Sequence, residues 1–94
     1  MRVLFLDSNH DILSQGLRKL GCTNVFDYTS SKEVIMTIIE NYDGIIIRSR
    51  FPIDKVFLDA ASHLRFIARV GSGLENIDVT YAKSLGIEII SSPE

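Results

Sequence analysis

The sequence predicts an α/β fold of the flavodoxin-like kind, a parallel five-stranded sheet in the order 2-1-3-4-5 with helices on both faces. Three observations predict it. Five short apolar runs rich in Val and Ile recur at even intervals: Val3–Leu6, Val25–Tyr28, Gly44–Ile47, Phe66–Val70 and Ile87–Ile90. Amphipathic helical patterns fill the gaps between them. Several runs, Ile45-Ile46-Ile47 above all, lack the alternation of a half-solvated strand, as expected of parallel strands covered on both sides. Strand alternating with helix calls for right-handed crossovers and a parallel sheet, and five such strands commonly take this order.

The elements follow in turn. After the first strand, Leu13, Leu17 and Leu20 are spaced as the inner face of a helix, Ser8 with Asp11 resembles a capping box, and Gly21 is a natural stop. The second helix opens at Ser30-Ser31-Lys32-Glu33, a Ser-x-x-Glu pattern, and carries Val34, Ile35, Ile38 and Ile39. The third follows Pro52, with Asp54 as its cap and Ile53, Val56, Phe57, Ala60 and Ala61 as its apolar set. The fourth runs from near Asp78 to Gly86, with Val79, Ala82 and Leu85 inward. The chain then stops at Ser91-Ser92-Pro93-Glu94, just past the last strand, so a final helix covering one sheet face is expected to be missing.

Composition bounds the function. Ninety-four residues make one domain. A net charge of −2 gives no basic surface for a phosphate backbone, so nucleic acid is not an expected partner. No apolar run approaches the ~20 residues of a membrane span, and Met1–Asp7 is too soon interrupted by charge to be a secretion signal, which leads to a cytoplasmic expectation. The single Cys22 excludes an internal disulfide and fits a turn after a helix. His10 and His63 lack metal-ligand spacing, and neither has a nucleophile partner readable in the sequence.

In open α/β sheets ligands bind beyond the carboxyl ends of the strands, near the point where strand order reverses. That rule nominates Asp7–His10, Arg48–Phe51 and Gly71–Gly73. Arg48, Ser49 and Arg50 put two guanidinium groups and a hydroxyl at one strand end, where they can clamp a carboxylate or phosphate. Gly71, Ser72 and Gly73 add backbone N–H groups that an anion can approach closely. Alternatively, these are surface arginines and a turn. Gly71-Ser72-Gly73-Leu74-Glu75-Asn76 reads GxGxxN, without the third small residue of a dinucleotide fingerprint and without its acidic partner, so NAD binding by this loop is not expected. Asp7 could suggest a phosphoacceptor receiver domain, but Arg48 stands where that domain needs an aspartate; a turn or capping role fits Asp7 better.

The stretches Ile45-Ile46-Ile47-Arg48-Ser49 and Leu64-Arg65-Phe66-Ile67-Ala68-Arg69-Val70-Gly71-Ser72-Gly73-Leu74-Glu75-Asn76-Ile77-Asp78, continued by Ala82, Gly86-Ile87 and Ser92-Pro93, resemble the D-isomer-specific 2-hydroxy-acid dehydrogenases. Within that family they look most like the phosphoglycerate branch of serine biosynthesis. The resemblance implies a two-lobed, NAD-dependent parent enzyme, a homodimer or tetramer, acting on a small 2-hydroxy or 2-oxo acid. It implies that residues 1–94 are the substrate lobe, truncated before the NAD-binding Rossmann domain, with Arg48 and Ser49 on the acid and backbone N–H groups of the Gly71-Ser72-Gly73 loop on its carboxylate. Arg50 becomes a candidate phosphate contact, and Asn76 and Asp78 look structural. The family's catalytic Arg, Glu and His map to no position here, so the lone chain is expected to be inactive and to bind no NAD. The alternative is a free-standing flavodoxin-like small-molecule-binding or signalling module without catalysis.

Overall fold

The computed structural model describes residues 1–7, 11–48, 50–70 and 76–92. Its elements alternate as β1 (Arg2–Phe5), α1 (Asp11–Lys19), β2 (Thr23–Phe26), α2 (Lys32–Ile38) with a 3-10 turn at Ile39–Asn41, β3 (Gly44–Ile47), α3 (Lys55–Ala60), β4 (Phe66–Val70), α4 (Val79–Ser84) and β5 (Glu88–Ser92). The five strands form one sheet, order β2-β1-β3-β4-β5, with every pairing parallel. The expected fold class and strand order are therefore present.

Alternation along each strand divides the core between two faces. Leu4, Leu6, Ile45, Ile47 and Ile67 belong to one cluster with Ile35 and Ile39, with Phe57 and Leu58 of α3, and with Ala82 of α4. Val3, Phe5, Ile46, Ala68 and Val70 form the other, against which Leu17 of α1 and Cys22 pack. β3 is buried at every position, which is why its sequence shows no polar alternation. Burying each such Ile stabilises the fold by about 1.5–3 kcal/mol. Among the described residues no helix is long and apolar enough to cross a membrane.

Two helices end in the same way. After α1, Gly21 at φ 87° follows Leu20; the Cys22 amide donates to the Leu17 carbonyl (3.1 Å) and the Gly21 amide to the Arg18 carbonyl (3.0 Å). After α4, Gly86 at φ 80° follows Leu85; the Ile87 amide donates to Ala82 (3.0 Å) and the Gly86 amide to Lys83 (3.0 Å). These are paired Schellman closures, in which the residue after the glycine supplies the apolar contact to the last turn. Cys22 packs with the core that Leu17 joins, and Ile87 is buried with Ala82. This geometry corrects two expectations. Leu20 and Leu85, read as inward, are exposed, at 80% and 48%, because each sits where the chain swings off the helix axis. The side chain of Leu13 and the whole of Ser8, half of the expected capping box, lie outside the described residues.

The start of α2 differs too. Ser31, not Ser30, is the cap: its Oγ accepts from the Val34 amide at 3.3 Å, so Glu33 falls one position short of a capping box. Ser30 is held instead by Asp27, whose carboxylate accepts from the Ser30 amide (2.9 Å), the Ser30 hydroxyl (2.7 Å) and the Thr29 amide (3.2 Å). This Asx turn takes the chain out of the sheet after Phe26, so Tyr28 lies beyond β2 rather than within it. Asp54 and Asp78 cap α3 and α4 as expected, accepting from Phe57 and Tyr81 at 3.1 Å each. Val34 and Val56, counted among the apolar faces, are 49% and 63% exposed, since each flanks its helix's buried stripe.

Candidate substrate site

The sheet order puts the reversal between β1 and β3, and the carboxyl ends of these two strands are bound together there. The Leu6 amide donates to the Ile46 carbonyl (2.9 Å), carrying the β1–β3 ladder just past both strands. One residue on, Oδ2 of Asp7 accepts from the amides of both Arg48 (2.7 Å) and Arg50 (3.1 Å). Asp7 thus has the capping role expected of it, although the loop it caps is the one after β3.

Arg50 completes the knot. Its Nη1 donates to the Leu6 carbonyl (2.9 Å) and to the Asp27 carbonyl, and its Nη2 to the Ser30 carbonyl. The guanidinium carbon lies 5.6 Å from the centre of the Phe51 ring, and Phe51 in turn meets Phe57 of α3 at 5.7 Å. One side chain therefore ties together the ends of β1 and β2, the turn before α2 and the loop after β3. The Ser30 hydroxyl and amide, the Thr29 amide and the nearby Arg50 charge all favour ionised Asp27, holding its carboxyl below the ordinary aspartate range.

Of the residues expected at the site, Arg48 and Arg50 are described and share this edge. Ser49, Gly71, Ser72, Gly73 and His10 lie outside the described residues. Arg69 was missed by the sequence reading. It stands in register with Ile47 one strand away, at the same carboxyl edge. Its Nη1 donates to the Val70 carbonyl (2.9 Å), while its Nε is buried with no hydrogen-bond partner among the described residues. The signal was available: Arg69 is the penultimate residue of an otherwise apolar strand that leads into the glycine loop.

On the far side of the glycine loop the chain is pinned. The Ile53 amide donates to the Asn76 carbonyl (2.7 Å) and the Asp78 amide to the Ile53 carbonyl (2.9 Å), an isolated parallel bridge that fixes where the loop re-enters the fold. Asn76 and Asp78 thus have the structural roles expected of them. His63 is remote, before β4 at the amino ends of the strands, with Nδ1 2.8 Å from the Glu40 carbonyl. A cavity of about 170 Å³ lined by Leu58, Ala61, Leu64, Leu85 and Ile87 also lies at that opposite end. Among the described residues no group of three or more His, Cys, Asp or Glu side chains could hold a metal ion.

Residues 3–94 match the model of the D-isomer specific 2-hydroxyacid dehydrogenase catalytic domain. The chain is 34% identical over 93 residues to a D-3-phosphoglycerate dehydrogenase of Synechocystis, covering 99% of this chain and 17% of that protein. It is 39% identical over 62 residues to a hydroxypyruvate reductase of Thermotoga maritima, 66% of this chain and 20% of that one. The solved NAD+-bound 3-phosphoglycerate dehydrogenase of Entamoeba histolytica superposes with a TM-score of 0.82 at 26% identity, over 97% of this chain and 32% of its own. The parallel sheet, with Arg48 and Arg69 at its carboxyl edge, is matched along nearly its whole length by a family of oxidoreductases. The chain belongs to the D-isomer specific 2-hydroxyacid dehydrogenases, as part of their catalytic domain. It spans about a sixth of the length of the Synechocystis and Archaeoglobus fulgidus phosphoglycerate dehydrogenases.

Proposed function

We propose that this chain is the substrate-gripping lobe of an NAD-dependent dehydrogenase that moves a hydride between NAD and the CH–OH carbon of a D-2-hydroxy acid, with a phosphoglycerate-like acid as substrate. The observation that carries the reading is the basic carboxyl edge: Arg48, held by Asp7 through its own amide, with Arg69 at the end of the neighbouring strand, its Nε without a hydrogen-bond partner among the described residues. Arg48 is the primary contact to the acid, Arg69 a second, and Ser49 with the backbone of Gly71, Ser72 and Gly73 completes the set. The relatives' names support the substrate class; a phosphoglycerate and a hydroxypyruvate are both small three-carbon acids.

In this reading the chain itself holds no dinucleotide. In a pyrophosphate site a helix N-terminus faces the phosphates. Here the Asp78 carboxylate occupies the N-terminus of α4 and accepts from the Tyr81 amide, so the position is already filled by negative charge. NAD in this reading belongs to a second, Rossmann-type lobe that brings the hydride to the acid, and the lone chain is inactive. The parent is a cytoplasmic homodimer or tetramer acting in serine biosynthesis.

Calorimetric titration of the chain with 3-phospho-D-glycerate and separately with NAD tests this. The acid binds, the heat is lost in Arg48→Ala, and NAD gives none. Acid binding that survives Arg48→Ala, or no acid binding in the wild type, overturns the reading.

A further inference from the structure

Resting on that reading, we infer that Asp7 and Arg50 form a positioning clamp: they hold the loop that presents Arg48, and Arg50 does not itself read the substrate's phosphate. Both halves of the clamp act on backbone. One carboxylate oxygen of Asp7 accepts two amides of the loop, from residues 41 and 43 positions away in sequence. The Arg50 guanidinium spends its Nη donors on the carbonyls of Leu6, Asp27 and Ser30, which belong to three different segments.

A guanidinium ringed by carbonyl oxygens is a poor phosphate receptor. Its Nη1 donors and one Nη2 donor are already directed at oxygens with partial negative charge, and a phosphate arriving on that side would meet those same oxygens. The planar fork suits a bridge between segments, because donors diverging from one rigid plane can meet several acceptors at once. A lysine at this position keeps the charge but cannot span three carbonyls. Asp7 has the complementary task. With its Oδ2 engaged by the amides of Arg48 and Arg50, the backbone on either side of position 49 is fixed relative to the end of β1. The Arg48 side chain then starts from a defined point when it meets the acid. Selectivity for a phosphorylated acid therefore lies with groups other than Arg50.

Two variants of the chain, Arg50→Lys and Asp7→Asn, are titrated with 3-phospho-D-glycerate and with D-glycerate, alongside amide hydrogen exchange at Arg48 and Ile45. Both variants are expected to weaken the two acids by the same factor, about tenfold, equivalent to ~1.4 kcal/mol. Exchange at the Arg48 amide accelerates while Ile45, inside β3, stays protected, which separates loss of positioning from general destabilisation. Asp7→Asn is nearly isosteric and serves if Arg50→Lys does not fold. Loss of affinity in Arg50→Lys confined to the phosphorylated acid overturns the inference and makes Arg50 a phosphate contact. Unchanged binding of both acids in both variants overturns it as well, while leaving the substrate-lobe reading intact. Failure of the wild type to bind either acid instead removes the reading on which the clamp rests, and the positioning role with it.

Discussion

On the proposed reading, replacing Arg48 by alanine in the parent dehydrogenase should remove a charge-assisted contact to the acid, of the kind that costs about 2–5 kcal/mol when one partner is truncated. The expected loss in kcat/KM for the acid is therefore on the order of 30-fold or more, with the KM for NAD unchanged. Arg48→Lys should recover only part, because a point charge cannot reproduce a bidentate fork. Steady-state kinetics at saturating NAD check both. A second residue makes a purely structural prediction. Gly44 opens β3 directly opposite Phe66, and a Cβ built there would lie 2.1 Å from the Phe66 ring. The aromatic ring occupies the space a side chain would need, so Gly44→Ala must displace it. Overpacking of this sort costs about 1–3 kcal/mol, readable as a lower urea midpoint at unchanged slope. Gly44→Ala combined with Phe66→Leu should recover part of that loss.

At the scale of elements, the two glycine-closed helices predict a matched pair of effects. Gly21→Ala and Gly86→Ala each force a side chain into the left-handed region, with open space around the new Cβ, so backbone strain alone is measured. A destabilisation of about 1–2 kcal/mol is expected for each, seen in thermal melts. Both glycines were legible in the sequence as stops, and so were the caps at Asp54 and Asp78, because these signals are local: one residue type, one backbone conformation. β3 and β4 were legible to the residue, β3 because a fully buried parallel strand is apolar throughout and β4 because Arg69 alone interrupts its apolar run. What escaped was set by geometry just outside the repeating unit. Leu20 and Leu85 keep helical spacing yet fall on the turn that leaves the helix. Tyr28 is apolar enough for a strand, but Asp27 had already turned the chain. At the site, Arg48 was legible from the strand rule. The partners of Arg50 were not, because its acceptors are backbone carbonyls, which carry no residue identity. Arg69 needed the register Ile47↔Arg69 before its place at the same edge could be seen.

For the molecule as a whole, ionisation sets the pH limits of the fold. Asp27 and Asp54 both titrate below the ordinary aspartate range, Asp27 chiefly through the Ser30 hydroxyl and Asp54 chiefly through Lys32, which pairs with it at 2.9 Å. A carboxyl with a lowered folded pKa contributes stability above its unfolded pKa, near 4, and loses it as pH falls through the folded value. Tyr81 is shifted the other way, upward, by its hydrogen bond to Asp59. Its contribution is present below pH ~10 and lost as pH rises through the folded value. Melting temperatures should therefore hold across neutral pH and fall at both ends. Asp27→Asn should flatten the acid limb, and Tyr81→Phe the alkaline one. The clamp at the carboxyl edge has a further consequence, one of timing. Asp7 and the amide it holds at Arg48 are 41 residues apart, and β1 cannot meet β3 until α1, β2 and α2 between them have been made. Closing so long a loop is entropically expensive and rewarded only once the parallel ladder forms, which places such contacts among the slower steps of folding. A nascent chain emerging from the ribosome would have β1 and β2 in hand while the Asp7–Arg48 contact was still unmade, so the carboxyl edge is assembled only after β3 has docked.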